Sequence, residues 1–383
     1  MTDYKRLGDY IREVNVRNRE LKVTNLLGLS VSKEFMPSIA NTIGTDMSTY
    51  KVVERNQLVY IADTSRRGDK IAIGLLDKYD NAIVSQAYTV FEVIDHEQLL
   101  PEYLMMWFRR PEFDRYARFH SHGSAREIFD WDELCDVMLP IPSIARQREI
   151  VAEYETLTNR IRLNNQMIQH LEATAQAIYR KTFVDNIDKE NLPTGWRMGK
   201  IQDFGEVVTG KTPSTLDESN FGDYMPFVTI PDMHNGFYVI KTERGLSKKG
   251  VTIQANKIVP KNSVCVSCIG TSGLVVITPK DCQTNQQINT IVPQKEYALE
   301  FIYLTCCGLE KIIAEYGMGA AVLNNLNKSE FENLRVIIPL DSMMLKFHEQ
   351  VSPVFNVIYL KQQENIKLTE LQSLLLAEMG INN

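Results

Sequence analysis

A chain of 383 residues with 44% hydrophobic and 23% charged residues has room for two cores. It contains no apolar run of about 18 residues, and its first residues, MTDYKRLGDY, are polar. Neither a membrane-spanning helix nor a secretory leader is expected, which places the chain in the cytoplasm, with its six cysteines as thiols. The net charge of −6 excludes a protein that holds nucleic acid by a broadly basic surface. Residues 1–142 carry 18 basic against 22 acidic side chains, 143–190 carry 7 against 7, 191–340 carry 14 against 14, and 341–383 carry 3 against 5. Any DNA contact therefore needs positive charge concentrated on one face, or charge supplied by partners.

In chain order, the first 142 residues read as short strand-like runs, turns rich in Gly, Asn and Pro, one amphipathic helix near 101–119, and a closing strand-like run that ends in proline. A long helix from about Ile144 to Phe183 follows. Its apolar seam is Ile150, Tyr154, Leu157, Ile161, Asn164, Ile168, Leu171, Ala175 and Ile178, stepping 4, 3, 4, 3 as in a coiled coil. The polar seam residue Asn164 is of the kind that fixes register. At ~1.5 Å per residue the helix is roughly 60 Å long.

The whole plan then repeats. LGDYIREV (7–14) resembles IQDFGEVV (201–208), AIVSQAYTVFEV (82–93) resembles CQTNQQINTIVP (282–293), and PEYLMMWF (101–108) resembles LEFIYLTC (299–306). GSA (123–125) falls against GAA (319–321), and DELCDVMLPIP (132–142) against SEFENLRVIIP (329–339). The order is kept and the separations stay between 194 and 200, the signature of an internal duplication. One amphipathic helix is expected near 298–316. The second long helix repeats the seam as Phe347, Val351, Val354, Ile358, Lys361, Asn365 and Leu368, with Lys361 at the place of Asn164. Pro353 lies inside this pattern and is expected to kink or delay the helix. The two helices are expected to pair.

Several motifs invite a catalytic reading and fail it. GEVVTGKT (205–212) fits the phosphate-loop pattern literally, but Pro213 follows directly and no helical periodicity comes after it. Cys265 and Cys268 form a CxxC, but on a strand-like run residues three apart face opposite sides, so buried thiols are expected rather than a metal site. Glu20-Leu21-Lys22 has no partner carboxylate run, and His96, His120, His122, His170, His234 and His348 are scattered. No catalytic residue, metal or cofactor is assigned.

The second half resembles a target-recognition domain of the type I restriction-modification specificity subunits, through GKTPS (210–214), GDYMPFVTIPDM (222–233), SKKG (247–250), SVCVSCIGTSG (263–273), TNQQINTIVP (284–293) and LNKSEFENLRVIIP (326–339). The first half resembles the same family through YIADTSRRGDKIAI (60–73), NAIVSQAYTVF (81–91), GSAREIFDWDEL (123–134) and LPIPSIARQREI (139–150). The resemblance implies an α+β protein: two mixed α/β target-recognition domains, 1–142 and 191–340, separated by two long antiparallel helices, 143–190 and 341–383, that form a coiled coil. It implies that each domain reads half of a bipartite site on double-stranded DNA and that the helices set the gap. It implies as partners two methyltransferase subunits, and restriction subunits, which carry the catalysis, and no membrane. The readings left against it are a helical scaffold, and a self-contained restriction or NTPase enzyme that would cut DNA or hydrolyse ATP on its own.

Base readout needs donors and acceptors on loops, with Arg and Lys holding phosphates. In the first domain the candidates are Arg66, Arg67, Lys70, Gln86, Ser124 and Arg126. In the second they are Lys211, Thr212, Lys248, Lys249, Thr271, Ser272, Asn285, Gln286 and Asn324. The arginine pair can equally be a solvated turn, and Asn285 and Gln286 can equally satisfy buried backbone groups.

Overall fold

The structure, a computed structural model, describes residues 4–38, 44–64, 68, 70–123, 126–234, 236–317 and 326–380. The chain divides into two compact units, Met1–Arg160 with Leu368–Asn383, and Ile161–Lys367. No helix among the described residues is long and apolar enough to cross a membrane.

The first unit is closed by an antiparallel ribbon, Tyr4–Arg6 against Met138–Pro140. Inside it lies a four-stranded antiparallel sheet in the order Ile11–Val14, Thr89–Val93, Leu58–Tyr60, Ile73–Leu75. Strand periodicity sorts its side chains. Leu58, Tyr60, Ile73, Phe91 and Val93 join a core with Tyr103, Leu104 and Phe108 of the helix Pro101–Arg109. Val59, Ala72 and Val90 face the other way, onto Leu27, Leu29, Val53, Ala82 and Val84 from two-stranded pairs.

The second unit repeats this arrangement. Its ribbon is Arg197–Lys200 against Arg335–Ile338. Its sheet runs Gly205–Thr209, Ile288–Pro293, Val264–Ser267, Val275–Ile277, again antiparallel throughout. Val207, Val264, Val266, Ile277 and Ile291 pack with the helix Leu299–Gly308, and Val208, Cys265, Val276 and Ile288 pack on a second layer that includes Val228, Ile230 and Val259. The duplication read in the sequence is thus a duplication of topology.

Each expected single amphipathic helix is in fact two. Pro101–Arg109 stops at Arg110, whose extended backbone (ψ 137°) is what a residue before proline adopts, and Pro111–Phe119 starts afresh. In the second unit Leu299–Gly308 and Glu310–Gly317 are separated at Leu309.

The long helices are Ile144–Phe183 and Asp341–Glu378, and each runs from one unit into the other. Within each unit they lie antiparallel. In the second, Phe183 stacks edge-on with Phe347 at 5.2 Å, and the buried Asn164 donates to Asn365 at 2.9 Å, while Asn365 donates to Asn165 at 2.7 Å. In the first, Gln372 donates to Thr158 at 2.7 Å, and Leu376 and Met379 share a core with Ile150 and Val151. Gln147, fully buried, ties the start of the first helix to its domain: its amide accepts from Leu100 N–H and donates to the Gln98 and Pro142 carbonyls.

Pro353 neither delays nor interrupts the second helix, which starts at Asp341 and continues to Glu378. The proline removes one donor, but it and Glu349, whose carbonyl loses its partner, are both exposed, so the freed carbonyl is not buried away from solvent. The expected seam shifts in this helix. Phe355 and Gln362 are buried where Val354 and Lys361 were expected, and Lys361 is half-buried and bonds Glu364 one turn on, at 2.7 Å. Asn365 is the residue that answers Asn164.

Candidate nucleic-acid interface

In an antiparallel sheet the loops at one end belong to alternate connections. In the second unit the end marked by Thr209, Ser267, Val275 and Ile288 carries three of them: 210–214 after Gly205–Thr209, 268–274 between Val264–Ser267 and Val275–Ile277, and 285–287 before Ile288–Pro293. They brace one another. Gly210 N–H donates to Ile288 O (3.1 Å) and Lys211 N–H to Thr284 O (2.9 Å). The Thr212 hydroxyl donates to Gln286 Oε1 at 2.6 Å, and Cys268 N–H to Gln287 O at 2.9 Å. Gly270 and Gly273 turn the middle loop at φ of +78° and +93°, and the Ser267 hydroxyl closes it onto Thr271 O at 2.6 Å.

The candidates fall into two groups here. Lys211, Lys248, Thr271 and Gln286 are exposed, and Thr212 and Ser272 are half-buried. Neither the Lys211 nor the Lys248 ammonium has an ion-pair partner among the described residues. Asn285 is buried and engaged inside its loop: it donates to Gln287 Oε1 and accepts from Gln287 N–H. Lys249 is engaged as well, donating to Asp217 and to the Ser219 hydroxyl, both at 2.7 Å.

That lysine, helped by Ser219, pulls the Asp217 carboxyl down to about 2. Its folded value lies below its ordinary 3.8, so the contribution to stability is complete above that value and is lost as the pH falls through about 2. Lys249→Ala is expected to raise the Asp217 carboxyl toward 3.8 in an NMR titration; a carboxyl that stays near 2 would show that the lysine does not hold it.

The first unit places its candidates at the matching end of its own sheet. Loop 61–72 leaves Tyr60 and carries Lys70, and loop 85–88 enters Thr89 and carries Gln86; both residues are exposed. Exposed Arg126 lies on a third segment, which is fastened to the first of these loops by Thr64 N–H to Glu127 O and Phe129 N–H to Ala62 O, both 2.9 Å. Asp114 anchors the end of loop 61–72 by accepting from Ile71 N–H at 3.2 Å and from buried Lys33 at 2.8 Å. Burial pushes the Lys33 ammonium below its ordinary value. Arg66, Arg67, Ser124 and Asn324 lie outside the described residues.

The phosphate-loop reading of residues 205–212 does not survive the geometry. The N–H groups of Gly210 and Lys211 are spent on two strands, Ile288–Pro293 and Gln283–Thr284, and no helix starts at Thr212; the next element is the short turn Glu218–Asn220. Cys265 and Cys268 face different cores, and burial pushes their thiols up to about 12 and about 11. Two residues of the site had no signal in the sequence: Gln254 and Gln283, buried beneath the loops, with Gln254 donating to Lys211 O.

Comparison with known proteins gives these loops a context. Residues 42–173 and 193–370 each match the family described as Type I restriction modification DNA specificity domain, together well over half of the chain. The chain is 27% identical to the HindI type I restriction enzyme specificity subunit of Haemophilus influenzae, covering 99% of both chains. It is also 27% identical to the MjaIX specificity subunit of Methanocaldococcus jannaschii, over 46% of this chain and 42% of that one. Its fold is similar to the crystal structure of the S subunit of the type I restriction-modification system of M. genitalium, with a TM-score of 0.62 at 12% identity, over 99% and 96% of the two chains. Two copies of one family's domain, on two copies of one topology, settle the assignment: the chain belongs to the type I restriction-modification DNA specificity subunits, components that recognise DNA and are not themselves catalytic.

Proposed function

We propose that this subunit reads a bipartite site on double-stranded DNA, one half with each of the domains 1–142 and 191–340, and directs methyltransferase subunits, two of them, and restriction subunits to it. The helices 143–190 and 341–383 carry those subunits and set the gap between the half-sites, and the complex works in the cytoplasm. The observation that carries this reading is that the connections carrying Lys70 and Gln86 in the first unit, and 268–274 and 285–287 in the second, lie at the same end of the same four-stranded sheet. There Lys70, Arg126 and Lys211, with Lys248 at the start of the helix Lys248–Ile253, hold phosphates, which positions the duplex, while Gln86, Thr212, Thr271, Ser272 and Gln286 offer hydrogen bonds to base edges. With a net charge of −6, the remaining attraction for DNA comes from the partner subunits.

The division of labour is testable with purified components. The chain alone is expected to transfer no labelled methyl group to DNA, and adding its methyltransferase partner to produce methylation at one defined motif. Methyl transfer by the chain alone would refute the reading.

A further inference from the structure

Beneath the Gly210–Lys211–Thr212 turn lies a pair of amides with almost no contact with water. Gln254 is 2% exposed and Gln283 0%. The Gln254 side chain donates to Lys211 O and to Gln283 Oε1, both at 2.8 Å. Gln283 in turn donates to Gln254 O at 3.1 Å and to Val251 O at 3.3 Å. Gln254 caps the helix Lys248–Ile253, and Gln283 sits on the strand Gln283–Thr284 that also receives Lys211 N–H. The Lys211 peptide is therefore held on both sides, at its N–H by the strand and at its carbonyl by a buried glutamine, while its ammonium stays in solvent.

Burying two amides away from water is costly unless they are bonded, and an aliphatic pair would fill the same space without that cost. An amide at position 254 offers what an aliphatic side chain does not, a donor aimed at the backbone of the loop. We infer that Gln254, oriented by Gln283, is a positioning residue of the DNA interface: it fixes the backbone of Lys211 so that the ammonium meets a phosphate without first being ordered. This rests on the reading of Lys211 as a phosphate contact. Preorganisation of this kind strengthens binding by removing an ordering step rather than by adding a contact.

The test is the salt dependence of DNA binding by the complex assembled with its methyltransferase partner. Lys211→Ala removes one phosphate contact and is expected to lower the slope of log affinity against log salt by about one. Gln254→Met keeps the volume, removes the donor and changes no charge; it is expected to weaken binding severalfold at every salt concentration while leaving the slope at the wild-type value. In the double variant the second change is expected to add nothing. A purely structural role for Gln254 would leave the affinity of Gln254→Met unchanged, or would weaken the Lys211→Ala variant by the same factor as the wild type, and either result would overturn the inference while leaving the function standing. An unchanged slope for Lys211→Ala would instead remove Lys211 from the interface, and the inference with it. If Gln254→Met does not fold, amide exchange in the unmodified complex decides. The Gln254 side-chain amide, which donates to Lys211 O and Gln283 Oε1, is expected to exchange far more slowly than that of an exposed glutamine, and exchange at the exposed rate would overturn the clamp.

Discussion

Gly210→Val is expected to abolish recognition of the half-site read by the second unit. A Cβ at position 210 would lie 2.2 Å from Asn285 O, 2.2 Å from Thr284 Oγ1 and 2.3 Å from Thr284 O. Two of these atoms are backbone, in the segment that forms the floor of the loop cluster, so relief requires the strand end and the 285–287 loop to separate. Overpacking of this kind costs roughly 1–3 kcal/mol, and about 1.4 kcal/mol already corresponds to tenfold in binding. The same movement breaks Lys211 N–H to Thr284 O and Thr212 to Gln286, so the loss falls on the interface as well as on stability. Gly308→Ala is the control. It sits at the end of the helix Leu299–Gly308 with no atom within 4 Å of its would-be Cβ, and it is expected to be neutral or to stabilise by up to about 1 kcal/mol. Thermal melts and methylation rates of the two complexes check this. Equal behaviour of the two variants would show that the floor of the cluster yields without consequence.

The repeat, the α+β architecture and the first long helix were legible because each rests on local or periodic information. The 4-3 spacing from Ile150 to Ile178 is also the spacing of the buried and half-buried side chains of that helix. The second helix was harder to read because Val354 and Phe355 are adjacent and both apolar; a shift of one position there also moves the polar position from Lys361 to Gln362. The larger side chain takes the core, with Phe355 1% exposed. The division of each helix at 101–119 had a visible signal, Arg110 before Pro111, which helical amphipathicity on both sides obscured. In the site, residue type and order pointed to the loops, but not to which of two neighbouring lysines stays free. That depends on Asp217, 32 residues from Lys249, meeting it across a turn. The Gln254–Gln283 pair, 29 residues apart, has no periodicity to reveal it.

If two separate readers share one chain, exchanging one of them changes one half of the recognised site and nothing else. Each domain begins and ends on its own ribbon, Tyr4–Arg6 with Met138–Pro140 and Arg197–Lys200 with Arg335–Ile338, so residues 1–142 can be replaced without cutting a strand pair. The incoming domain must supply apolar residues where Leu99, Leu104 and Leu139 pack in the core that also holds Ile150, Val151, Leu376 and Met379. With that condition met, sequencing the methylated DNA of cells carrying the exchanged subunit and its methyltransferase partner reads the outcome. The methylated motif is expected to have one half replaced, and the other half and its gap unchanged. A motif changed in both halves, or in neither, would contradict two separate readers.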